Sequence, residues 1–243
     1  MKHTLLSLFI VSSCWLYAQP SDSEILAQYK RWSSMRDDWP DLSRYQAANE
    51  ALDPPAPGER RVVFMGNSIT DAWIRVSPEF FEGKPYIDRG ISGQTTPQML
   101  VRFRQDVIDL NPHAVVILAG TNDIAGNTGP STQEMIAGNL ASMAEVANAN
   151  GIKVVMASVL PAFNYRWRPE VKDVAQKIVD LNAWIKSYCE EKGFVYLDYH
   201  TPMKDERNGL PKKYSEDGVH PTKAGYAVME ELAEKTLRKL MDQ

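Results

Sequence analysis

The feature that most constrains this 243-residue chain is a rhythm of short apolar runs, each stopped by a turn and followed by a helical stretch. Residues 61–65, 86–89, 114–119, 153–159 and 194–197 read as strands, the first halted by Gly66. Helical patterning fills residues 97–109, 132–150, 170–192 and 222–241. In the third of these, Val171, Val174, Ala175, Ile178, Leu181, Ile185 and Tyr188 recur at about the ~3.6-residue helical period. Apolar strands alternating with helices are covered on both sheet faces. That predicts an α/β domain of three layers, α/β/α, around a mostly parallel five-stranded sheet. In such sheets ligands bind beyond the carboxyl ends of the strands, so the residues after each run are the ones to read for chemistry.

At 44% hydrophobic and 24% charged, with a net charge of −4, the chain has an ordinary globular balance. It has no basic surplus for nucleic acid or an anionic membrane, so a neutral or small substrate is the expected partner. Met1-Lys2-His3 gives a basic start, residues 5–16 are apolar, and Ala18 precedes Gln19. Residues 1–18 therefore read as a signal peptide cleaved near Ala18, sending the protein to the periplasm or outside. The run is too short for a spanning helix, so no integral membrane segment is expected after processing. A second reading takes Val11-Ser12-Ser13-Cys14 as a lipoprotein box, although Trp15 stands where small or polar residues are usual. Residues 19–60 are expected to form an extension packed on the domain of residues 61–243, with helices at 23–35 and 43–52 ended by the prolines of 53–58. Cys189 is the thiol left after processing; it excludes an intrachain disulfide and reads as a small buried hydrophobe.

Three strand ends are chemically rich, and a fourth block stands near the chain's end. After the first comes Gly66-Asn67-Ser68-Ile69-Thr70-Asp71, where Ser68 is either a nucleophile or merely a helix cap. The second runs into Gly90-Ile91-Ser92-Gly93, whose glycines let backbone approach a ligand, with the Gly93 N–H as a donor. The third leads to Gly120-Thr121-Asn122-Asp123, in which Asn122 either caps the next segment or donates to a developing oxyanion. Near the chain's end, Asp217 stands three residues before His220, a spacing that lets a carboxylate hold one ring nitrogen and leave the other free. His113 precedes a strand and sits on the wrong edge of the sheet. His200 follows residues 194–197, but Asp198 and His200 would run parallel rather than meet, so His220 is preferred. No cysteine or histidine cluster has metal-ligand spacing, and neither metal nor cofactor is expected.

Taken in order, Ser68, Gly93, Asn122 and His220 resemble the four signature blocks of the SGNH hydrolases, also called GDSL esterases, over residues 62–221. Residues 61–73 and 217–221 look closest to the bacterial branch related to platelet-activating-factor acetylhydrolase subunits and carbohydrate acetylesterases. The resemblance implies a flavodoxin-like fold and acyl transfer to water. Ser68 would be the nucleophile, His220 its base, Asp217 the orienting carboxylate, and Ser68, Gly93 and Asn122 the oxyanion donors. The family usually has Asp where Asn67 stands, which implies tuning of the turn. Substrate contacts are expected from Asn67 and, on the loop after residues 153–159, from Phe163, Tyr165, Trp167 and Arg168. Those aromatics could stack on a sugar, or pack onto the core. A short-acyl glycan ester is the favoured substrate. The rivals are a lysophospholipase or thioesterase with the same residues, and a non-catalytic glycan-binding protein.

Overall fold

The computed structural model describes residues 21–241, so the expected signal peptide and Cys14 lie outside the described residues. The chain divides into two compact units between Asp37 and Asp38. In the first, α1 (Asp22–Asp37) opens on a capping box: Ser21 N–H donates to Glu24 Oε2 at 2.7 Å, and Glu24 N–H returns to Ser21 Oγ at 3.3 Å.

The second unit holds everything from Asp38 onward. Its first segment was expected as a helix over 43–52, but it breaks into a 3-10 turn at Leu42–Arg44 and a short α2 (Gln46–Glu50). Asp41 takes a left-handed conformation at φ 56°, and the Asp38 carboxylate accepts from Leu42 N–H at 2.8 Å and Ser43 N–H at 3.0 Å, stabilising the break. Side-chain amides anchor the segment: Gln98 donates to Trp39 O at 2.7 Å and Asn49 to Asp106 at 2.8 Å.

Five strands form one sheet: β1 (Val62–Gly66), β2 (Tyr86–Gly90), β3 (Ala114–Leu118), β4 (Lys153–Ala157) and β5 (Val195–Leu197), in the order β2-β1-β3-β4-β5. Every pairing is parallel, sharpening the expected mostly parallel sheet to a wholly parallel one. The winding reverses between β1 and β3, so the crevice beyond their carboxyl ends is the topological switch point.

The strands alternate faces with period two. Val63, Met65, Val115, Ile117, Val154 and Met156 pack under α4 (Thr96–Asp106), α6 (Gln133–Ala149) and α7 (Val174–Lys192). Val62, Phe64, Val116 and Val155 pack instead against Trp73 of α3 (Ser68–Val76) and Tyr226, Met229 and Leu237 of α9 (Lys223–Met241). On that side Trp73 stacks on Phe80 at 4.8 Å, and Phe64 meets both edge-on at 5.6 Å. Burying each such ring contributes about 2–3 kcal/mol. Two short helices, α5 (Thr121–Ile124) and α8 (His200–Met203), follow β3 and β5 directly.

Two helices are shorter than their patterns predicted. α4 stops at Asp106, with Ile108–Leu110 a 3-10 turn that left-handed Asn111 closes at φ 48°. α7 starts at Val174 rather than at 170, because Asp173 is left-handed at φ 55°.

Candidate active site

Ser68 is the first residue of α3, directly after β1. The cap is Asn67, whose side chain accepts from Ile69 N–H at 3.5 Å, so the Ser68 hydroxyl is not spent on capping. Instead Ser68 Oγ lies 2.9 Å from His220 Nε2, and His220 Nδ1 lies 2.6 Å from Asp217 Oδ2. A carboxylate only accepts, so the ring proton belongs on Nδ1 and Nε2 is left bare to receive from Ser68.

The Asp217–His220 loop is closed on itself. Ser215 and Pro221 bridge, and Gly218 supplies a positive φ of 85° between them. Asp217 Oδ1 accepts from Ser215 Oγ at 3.0 Å, Val219 N–H at 2.9 Å and His220 N–H at 2.8 Å. Partial burial on its own would raise the acid, but the ring and backbone bonds of His220, with that of Val219, outweigh it and hold the carboxyl below the ordinary range. Behind the loop, Tyr226 of α9 donates to Ile69 O at 2.7 Å, tying the histidine's side of the molecule to the serine's helix.

Gly93 sits in the turn after β2 at φ +82°, and among the described residues its N–H has no partner. Asn122, in α5, is buried and gives one amide hydrogen to Gln94 O at 2.9 Å, leaving its second for another acceptor. Arg102 braces both loops from beneath. Fully buried and paired with Asp106 at 2.9 Å, it donates to Gly66 O at 3.0 Å, Arg89 O at 2.9 Å and Gln94 Oε1 at 2.6 Å. Asp123 accepts from Thr96 N–H and Oγ at 2.9 and 2.6 Å, pinning α5 to the start of α4; burial pushes its carboxyl up to about 6.

Other sequence expectations fare differently. Asn67 is only 1% exposed and committed to the cap, so it is not available as a substrate contact. Tyr165 is likewise 1% exposed, its hydroxyl bonded to Thr121 Oγ1 at 2.8 Å, and it belongs to the core. Phe163 and Trp167 remain exposed; Trp167 Nε1 donates to Asn127 Oδ1 at 3.2 Å and Arg168 to Gly126 O at 2.8 Å. His200 is buried, with its backbone N–H on Ser158 Oγ at 2.9 Å, and it is His220 that meets Ser68. Burial pushes the Cys189 thiol up to about 12, an inert core cysteine. Sequence reasoning missed Ser215, the brace that aims Asp217; its only signal was a hydroxyl two residues upstream.

Comparison with known proteins gives consistent relatives. The sequence profile of the GDSL-like lipase/acylhydrolase family matches residues 64–228. A crystal structure of a GDSL-like lipase from Bacteroides thetaiotaomicron superposes with a TM-score of 0.81 at 50% identity, covering 83% of this chain and 98% of that one. An acetylxylan esterase of Xylanibacter ruminicola is 24% identical over 73% of this chain, which spans only 43% of that longer protein. Esterase TesA of Pseudomonas aeruginosa is 26% identical over 82% of this chain and 94% of its own length.

Proposed function

The chain belongs to the GDSL-like lipase/acylhydrolase family, and on that premise we propose that it removes short acyl groups, acetyl above all, from carbohydrate through an acyl-enzyme on Ser68. The observation that carries the reading is the relay from Ser68 Oγ to His220 Nε2 at 2.9 Å and from Nδ1 to Asp217 at 2.6 Å. Ser68 Oγ attacks the ester carbonyl as its proton passes to His220 Nε2, while Asp217 steadies the imidazolium that forms. Charge on the tetrahedral oxygen falls to the N–H groups of Ser68 and Gly93 and the spare amide hydrogen of Asn122. The C–O bond to the alcohol breaks, and His220 returns the proton to that leaving oxygen. Water then repeats the sequence on the acyl-enzyme, releasing the acid and restoring Ser68.

Short acyl groups are favoured because the open loop after β4 carries aromatics and arginines rather than an apolar lid; exposed Phe163 and Trp167, with Arg168, are its candidate sugar contacts. We read residues 1–18 as an export signal, consistent with an extracellular glycan. No helix among the described residues is long and apolar enough to cross a membrane. Turnover of p-nitrophenyl acetate, butyrate and octanoate, with Ser68→Ala alongside, tests the reading. Acetate should be preferred and lost in the variant. Wild-type turnover in Ser68→Ala would sink the mechanism, and an octanoate preference the short-acyl substrate.

A further inference from the structure

Gly93 has no side chain to hold its N–H in the direction an oxyanion donor needs. Its φ of +82° lies where L side chains are strained, and a Cβ built there would find nothing within 4 Å. The aim of the N–H is therefore set by what grips the residues on either side of it. Before it, the Ser92 hydroxyl donates to Asp71 Oδ2. After it, the Gly93 carbonyl accepts from the side-chain amide of Asn127 at 3.3 Å.

Asn127 lies in the turn after α5 and is bonded in three directions. Its backbone N–H donates to Asn122 O at 3.0 Å, which ties it to another of the proposed oxyanion donors. Its Nδ2 reaches Gly93 O, and its Oδ1 accepts from Trp167 Nε1 at 3.2 Å. An indole N–H only donates and a carbonyl only accepts, so the two contacts together fix which way the amide faces. Trp167 is itself steadied. Its ring lies 4.9 Å from that of buried Tyr165, and the next residue, Arg168, donates to Gly126 O at 2.8 Å. A line of contacts thus runs from the loop after β4, through one asparagine, to the two loops that carry Gly93 and Asn122.

Within the serine-esterase reading, and dependent on it, we propose that Asn127 is a positioning residue: it aims the Gly93 N–H at the tetrahedral oxygen, and Trp167 holds it there. Both ends of its amide are engaged by the protein, so it acts through Gly93 rather than on the substrate. The ester carbonyl asks little of that N–H in the ground state, whereas the oxyanion needs it, so a loosened Gly93 is felt in kcat and not in KM.

The test is steady-state hydrolysis of p-nitrophenyl acetate together with inhibition by trifluoroacetophenone. Ser68 Oγ adds to the carbonyl carbon of that ketone as its proton passes to His220 Nε2, which leaves an oxyanion and no leaving group. Asn127→Ala should lower kcat about tenfold with KM little changed, and should weaken the ketone by the same factor. Asn127→Asp keeps the acceptor for Trp167 but not the donor for Gly93, and should do as badly. Trp167→Phe keeps a ring and loses the N–H; kcat should fall about threefold, and adding it to Asn127→Ala should lower kcat no further. Thr128→Ala removes an exposed hydroxyl that bonds Thr95 rather than Gly93. It is the control for a merely loosened turn and should retain at least about half of kcat. The proposal is overturned by an unchanged kcat in Asn127→Ala or Asn127→Asp, or by a loss that falls on KM while the ketone binds as before. Equally fatal are losses from Trp167→Phe and Asn127→Ala that multiply, or a Thr128→Ala loss as large as that of Asn127→Ala. Wild-type chain whose turnover is absent, or survives Ser68→Ala, condemns the esterase reading and this role with it; Asn127 variants that fail alone leave that reading standing.

Discussion

Ser92 donates from its hydroxyl to Asp71 Oδ2, and this bond joins the turn holding Gly93 to the helix that Ser68 begins. The contact exists because β2 ends against α3: a Cβ on Gly90 would lie 2.0 Å from Asp71 N. Asp71 is held in turn by Arg75 at 3.1 Å and Arg44 at 3.5 Å. A hydrogen bond to a charged group contributes about 1.5–3 kcal/mol, and here it ties together the two segments that carry the proposed oxyanion donors Ser68 and Gly93. Ser92→Ala should lower kcat on p-nitrophenyl acetate about tenfold with KM little changed. A rise in KM at constant kcat would place Ser92 in ground-state binding instead.

In the proposed mechanism Asn122 would give the tetrahedral oxygen the amide hydrogen that Gln94 O does not use. Asn122→Ala should cost about 10²–10³ in kcat. Asn122→Asp, similar in shape but without the donor, should be no better. Steady-state kinetics on both decides the point, and near-normal kcat in either would remove Asn122 from the oxyanion site.

Asp217→Asn keeps the shape of the loop and loses the acceptor that fixes the proton on His220 Nδ1, so kcat should fall by about 10²–10⁴. Its carboxyl is held below the ordinary range in the folded chain, whereas the unfolded one titrates near ~3.9. The stability it contributes is therefore present above that value and lost as pH falls through the lower folded one. Urea midpoints of wild type and variant should differ at about pH 6 and draw together towards about pH 3. A constant gap would mean that the carboxylate's charge is not what the fold uses.

Asp88 has the opposite sign. Burial pushes its carboxyl up to about 7, and although Oδ1 accepts from Gly90 N–H at 2.7 Å, Oδ2 is buried without a partner among the described residues. The unfolded carboxyl ionises first, so stability present below ~3.9 drains away as pH rises towards the folded value. Asp88→Asn should be more stable than wild type by on the order of 2 kcal/mol at about pH 8, with no gain at about pH 4. Denaturant midpoints across that range are the readout, and a variant destabilised throughout would show that the ionised carboxylate is welcome there.

Periodicity made the sheet and the long helices legible, because covering both faces of a parallel sheet leaves unbroken apolar runs such as 114–118. It could not show α5 and α8, at four residues each too short for any period. Ser68 was readable as a residue type at a strand end, and Asp217 and His220 from their spacing of three in one loop. Their supports were not, since Ser92 meets Asp71 and Gln94 meets Asn122 only through how closely β2, α3 and α5 approach. Tyr165 misled for a related reason: a tyrosine in a loop looks like a surface aromatic until Thr121 is seen waiting for its hydroxyl.

Ser68 and His220 stand 152 positions apart along the chain, and strands β2 to β5 with helices α3 to α8 must be laid down before they can meet. On the ribosome the hydroxyl emerges long before its base, so a nascent chain carries an idle serine until nearly all of the sheet is in place. Regain of turnover on dilution from denaturant would then report the meeting of the 215–221 loop with the start of α3, a contact that the collapse of the core does not by itself complete.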